Sequence, residues 1–80
     1  MSKQNFSAEE LEYINGWQKA SLPEIRHRCS RITTGLIHNL TWLSVHAEDT
    51  FERVLSLIEQ YDTSLRDTIL HEVMCNLAGI

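Results

Sequence analysis

Residues 22–43 read LPEIRHRCSRITTGLIHNLTWL, and the spacing of their apolar members decides the fold class. Leu22, Ile25, Cys29, Ile32, Leu36, Leu40 and Leu43 follow one another at steps of three or four residues, which sets them along one stripe of a helix. A strand would alternate every second residue. Ser21 and Glu24 stand as N-cap and N3 of a capping box, with Pro23 in the first turn, where its missing N–H costs nothing. The pattern predicts a long central helix over residues 22–45, with Glu24 and Arg28 as an i,i+4 ion pair on its surface. Its weak point is Thr33-Thr34-Gly35, since glycine inside a helix costs about 1 kcal/mol relative to alanine, so packing must compensate or a kink is expected there. A bare backbone at Gly35 also marks an expected point of close approach by another helix.

Upstream, Ser7-Ala8-Glu9-Glu10 forms another capping box, with Phe6 placed to staple against Leu11. It predicts a helix over 8–18 carrying Leu11, Ile14 and Trp17, with Asn15-Gly16 offering an earlier stop. Residues 1–5 are polar and expected to be loose. Downstream, the apolar stripe continues through Ala47, Phe51, Val54, Ile58 and Tyr61 without a Gly or Pro. One unbroken helix of about forty residues would run about 60 Å, too long for so small a chain to cover without a second copy. A break after Val45 is preferred, with Asp49 as the next N-cap, Glu52 at N3, Asp49 paired to Arg53, and a helix over 49–61. Asp62-Thr63-Ser64 introduces a last helix over 64–78, whose apolar face is Leu65, Ile69, Val73 and Leu77, widened by Leu70 and Met74 and stopped by Gly79. The expectation is one all-α domain over 1–80, a small bundle of about four helices.

Eighty residues at 42% hydrophobic content make one core with little margin, so a homodimer is expected. Nothing among the first thirty residues has a signal peptide's basic start, apolar run and small-residue cleavage site, and no stretch reaches the length of a membrane span, so a soluble cytoplasmic protein with no membrane partner is expected. Cys29 and Cys75 sit in apolar helical patterns, where thiols act as small hydrophobic groups and no disulfide is expected. Net charge is −4 and unevenly placed: residues 1–40 hold five Lys/Arg against four Glu, for +1, while residues 41–80 hold two Arg against seven Asp/Glu, for −5. That balance disfavours nucleic acid and favours association through opposite charge.

Arg31 and His38, like Arg66 and His71, fit the Arg-x(4 to 6)-His spacing that resembles the HEPN ribonuclease family, in which the pair from two subunits contacts the scissile phosphate. The resemblance implies an alternative function, a dimeric ribonuclease using Arg31 and His38. Val54-Leu55-Ser56-Leu57-Ile58, the polar turn after it and Ile69 to Leu77 resemble the small enterobacterial biofilm and acid-stress connector proteins. This covers under half the chain and carries no function across. His71 and Cys75 are spaced to share a zinc ion, with His27 and Cys29 as distant candidates, but tight ligand pairs at both ends are missing and no metal or cofactor is expected. No phosphate loop, activated nucleophile or carboxylate pair supports an enzyme.

Arg26, His27, Arg28 and Arg31 form the one basic cluster, read as partners for Glu48, Asp49, Glu52 or Glu59, with a DNA-binding regulator as the further alternative. Trp42 and Val45 lie off the main stripe near His38 and Arg31, giving the central helix a second apolar side. The leading expectation is therefore a non-catalytic protein-protein interaction module, a small regulator, adaptor or inhibitor. Its contacts to another protein would come from Arg31, His38, Trp42 and Val45, with Arg26 and Arg28 setting register.

Overall fold

The computed structural model describes residues 6–79. Five helices follow one another: α1 (Ala8–Gln18), α2 (Leu22–Arg28), α3 (Thr34–His46), α4 (Glu48–Tyr61) and α5 (Thr63–Ala78). No strand occurs among the described residues. The expectation for residues 1–5 lies outside them.

The long central helix is not formed, and five helices replace about four. The chain leaves α2 at Cys29 and re-enters a helix at Thr34. Local hydrogen bonds explain the break. The Ser30 hydroxyl donates to the His27 carbonyl at 2.9 Å, and the Thr33 hydroxyl accepts the Leu36 N–H at 3.0 Å as N-cap of α3. A continuous helix would have buried Thr33, Thr34 and Gly35 in its interior; the capped restart replaces that cost with a cap worth about 1 kcal/mol. The apolar stripe survives the break almost intact, because Ile25, Cys29, Leu36, Leu40 and Leu43 all remain buried while Ile32 turns outward.

The break after α3 is present, although its chemistry differs from the expected Asp49 cap. Ala47 serves both helices: its N–H donates to the Leu43 carbonyl at 2.8 Å and its carbonyl accepts the Phe51 N–H at 3.0 Å. Glu48 and Asp49 fall inside the first turn of α4, where carboxylates oppose the positive end of the helix dipole. The N-cap of α1 is as the sequence implies, and at α5 Asp62 takes the cap among the three residues Asp62-Thr63-Ser64, so the helix starts at Thr63. Ser7 and Glu10 exchange bonds of 3.1 and 2.9 Å, Asp62 accepts the Leu65 N–H at 3.0 Å, and Gly79 closes α5 at φ 75°. At α2 the Glu24 carboxylate accepts both the N–H and the hydroxyl of Ser21, which holds its pKa below the ordinary value.

The organising element is α4, not the 22–45 segment. It packs against all four other helices, through Phe51, Val54, Leu55 and Ile58, while α3 lies mainly against α4 and α5. Buried Thr50 donates to Gln18 Oε1 at 2.7 Å, and Arg53 donates to the Trp17 carbonyl at 3.3 Å, so the expected Asp49/Arg53 pair gives way to ties between α4 and the end of α1.

Two glycines depart from expectation. Gly16 does not end α1, and a Cβ added there would meet nothing within 4 Å. Gly35 marks no close crossing, since its only neighbour at that range is Thr33 Oγ1 at 3.9 Å. Neither has a positive φ. Gly16→Ala and Gly35→Ala are therefore each expected to stabilise the fold by about 0.5–1 kcal/mol, read as a higher denaturation midpoint; a lower midpoint would mean that the backbone there is not free helix.

Candidate protein-binding surface

The six residues expected to form one contact surface are distributed over four places. Arg26 lies over the Tyr61 ring, 5.1 Å from its centroid, and Arg28 lies over Trp17 at 4.8 Å while donating to the Gly16 carbonyl at 3.2 Å. Neither meets the acidic side chains of α4, nor does Arg28 pair with Glu24; among the described residues the one ion pair is Arg66 with Asp67, at 3.0 Å. These arginines cover aromatic rings and fasten α2 to α1 and α4, a use that exploits the weak hydration of guanidinium.

Trp42 is half-buried. Its ring meets Tyr13 edge-on at 5.5 Å, Phe6 at 6.2 Å and His46 at 4.8 Å, an aromatic seam between α1 and α3. Phe6 is thus directed to Trp42, while Leu11 stands exposed. His38 is exposed one helical turn before Trp42, and the two share a shallow hollow with Tyr13. Val45 is 54% exposed and lines a different hollow with Leu11 and Ile14. Arg31 sits in the turn between α2 and α3, so its seven-residue separation from His38 is not a helical spacing.

The two thiols differ in surroundings. Cys29 is fully buried, and removal from water pushes its thiol up to about 11, with nearby Arg28 acting in the opposite direction. Cys75 is half-buried on α5, with Sγ 3.5 Å from His71 Nε2. Among the described residues no three His, Cys, Asp or Glu side chains converge as metal ligands. At neutral pH a thiol reagent should label Cys75 in the folded protein and Cys29 only after unfolding. The Cys29 shift also sets a pH dependence. In the unfolded chain this thiol ionises near its ordinary value of 9.0, while the fold holds the proton until about pH 11. Stability is unaffected below the first value and falls as pH rises between the two, a fall that Cys29→Ala should reduce in alkaline denaturation curves. Tyr13 and Tyr61, whose pKa values burial also raises, act in the same direction above 10.0.

One concave surface was not expected from the sequence. It is a trough of about 460 Å³ between α4 and α5, which are joined by Asp62 alone. Buried Phe51, Leu55 and Val73 form its floor. Leu70, Met74 and Leu77 continue it along α5, with Met74 59% and Leu77 52% exposed. The α4 wall carries Glu48, Glu52 and Glu59. At 3.6 residues per turn these three carboxylates fall within about 40° of one another and span about 16 Å, three turns of helix. All three are exposed, and none has an ion-pair partner among the described residues. Arg66 closes the far end with its charge already engaged by Asp67.

No helix among the described residues is long and apolar enough to cross a membrane. No protein family, curated protein or solved structure matches the chain.

Proposed function

We propose that this chain is a non-catalytic protein-binding module, a small regulator or adaptor that acts by seating part of another protein in the trough between α4 and α5. The observation that carries the reading is the pair Met74 and Leu77, more than half exposed beside a floor of core side chains. A core residue on a small domain is normally covered; here the last helix carries two large apolar groups past the edge of that cover. Exposed apolar surface of this kind supports partner contact, and methionine adapts its shape to what it meets. Among the residues first expected to bind, Val45 with Leu11 offers a smaller second apolar area on the α1 side.

The test is affinity capture from extract of the cells that make the protein, with Met74→Glu/Leu77→Glu and Val45→Glu beside the wild type. All substituted side chains are exposed, so circular dichroism should show the same helicity in each. A partner retained by wild type and Val45→Glu but lost by the double variant supports the trough. Retention by the double variant overturns it, as would RNA cleavage by the chain that disappears in Arg31→Ala or His38→Ala.

A further inference from the structure

We infer that the occupant of this trough is a cationic amphipathic helix of a partner protein, about three to four turns long; the inference rests on the protein-binding reading above. Length comes first. The apolar series on α5, Leu70 to Leu77, covers about 10 Å and the carboxylate row on α4, Glu48 to Glu59, about 16 Å; they run side by side along a hairpin, so the apolar surface accompanies about two turns of an acidic wall three turns long. An extended peptide would ask for unpaired backbone groups along the groove, which helices do not offer; a helix satisfies its own and needs only side-chain contacts.

Charge then selects the sequence on that helix. Three glutamates in a row on one wall favour Lys or Arg along one flank of the incoming apolar face and repel Asp or Glu. Arg66 does not cancel them, because Asp67 Oδ1 lies 3.0 Å from its guanidinium. The uneven charge of the whole chain, −5 over residues 41–80, adds a long-range attraction of the same sign. A second copy fits poorly in this role. Arg26 and Arg28 of the basic α2 are stacked on Tyr61 and Trp17, and two troughs brought face to face would oppose glutamate rows.

The test uses two synthetic helices of about four turns with leucine on one face, one flanked by lysine and the other by glutamate, and follows fluorescence anisotropy with the full chain. The lysine peptide should bind at least tenfold more tightly than the glutamate peptide. Met74→Glu/Leu77→Glu should remove binding, and Glu52→Lys/Glu59→Lys should reverse the preference toward the glutamate peptide. Glu9→Lys/Glu12→Lys, which changes net charge equally on α1, should leave the preference unchanged. Equal binding of both peptides, or lysine-peptide binding insensitive to the Met74/Leu77 change, overturns the inference. So does a wild-type dimer in light scattering that the Met74/Leu77 change converts to monomer, since the trough would then be covered by a second copy. If cellular capture still depends on Met74 and Leu77 while the lysine peptide is ignored, the partner chemistry is wrong and the binding module stands. If neither depends on them, both fail.

Discussion

Ile58→Ala is expected to destabilise the fold by about 3 kcal/mol, and the physical reason is the position of α4. Ile58 is fully buried on the helix that touches every other helix. Truncation removes three carbons from contact with several helices at once, and a cavity at a junction of helices cannot collapse by the shift of any one of them. An 80-residue chain of ordinary stability has about 4–12 kcal/mol in total, so this single change removes a large part of it. Urea denaturation should show a lower midpoint with an unchanged slope. Ser56→Ala, exposed on the same helix, should change little. A loss below 1 kcal/mol for Ile58→Ala would mean that α4 is not the common packing partner.

Trp17→Ala is expected to cost about 4 kcal/mol, through a different set of contacts. Trp17 is the one buried residue of α1, the ring beneath Arg28, and the residue whose carbonyl receives Arg53. Its loss removes the buried apolar contact of α1 and leaves the Arg28 guanidinium without its aromatic surface, while the backbone carbonyl that receives Arg53 and the Thr50–Gln18 bond remain. The distinguishing result is coupling. Arg28→Ala alone should cost about 1 kcal/mol, and clearly less in the Trp17→Ala background, because the stacked pair is already broken and only the bond to the Gly16 carbonyl remains. Independent, additive losses would show that the 4.8 Å stacking contributes nothing in solution.

The starts of α1, α2 and α5 and the stop of α5 were legible because each is written in nearby residues: Ser7 with Glu10, Ser21 with Glu24, Asp62 ahead of α5, and Gly79 after it. The break at residues 29–33 was not. The apolar stripe stays in step across it, so periodicity reports a continuous helix with a weak point at Thr33-Thr34-Gly35, and the hydroxyls of Ser30 and Thr33 turn that weak point into an interruption. The basic residues of α2 were read as ion-pair partners because charge is visible in a sequence and ring faces are not; the fold places Tyr61 and Trp17 beneath them.

The trough was missed for a related reason. Leu65, Ile69, Val73 and Leu77 form one unbroken helical face, yet burial is complete for Ile69 and nearly so for Val73 and then stops. In the hairpin, the end of α5 lies beside the start of α4, where Glu48 and Glu52 supply carboxylates and no apolar cover. Sequence periodicity shows which residues share a face; it does not show where the opposing helix runs out of apolar partners. Trp42 illustrates the reverse. It lies off the main stripe, as an exposed contact residue would, and the fold half-covers it with Tyr13 and Phe6.

The most direct test is amide chemical-shift mapping of the full chain titrated with the lysine-flanked helix. A trough that seats a cationic helix predicts shifts concentrated at residues 48–59 of α4 and 66–77 of α5, with Val45, His38 and the α1 face unmoved. Shifts concentrated instead around Val45, Leu11 and Trp42, or scattered over all acidic positions without a focus at Met74 and Leu77, would contradict it.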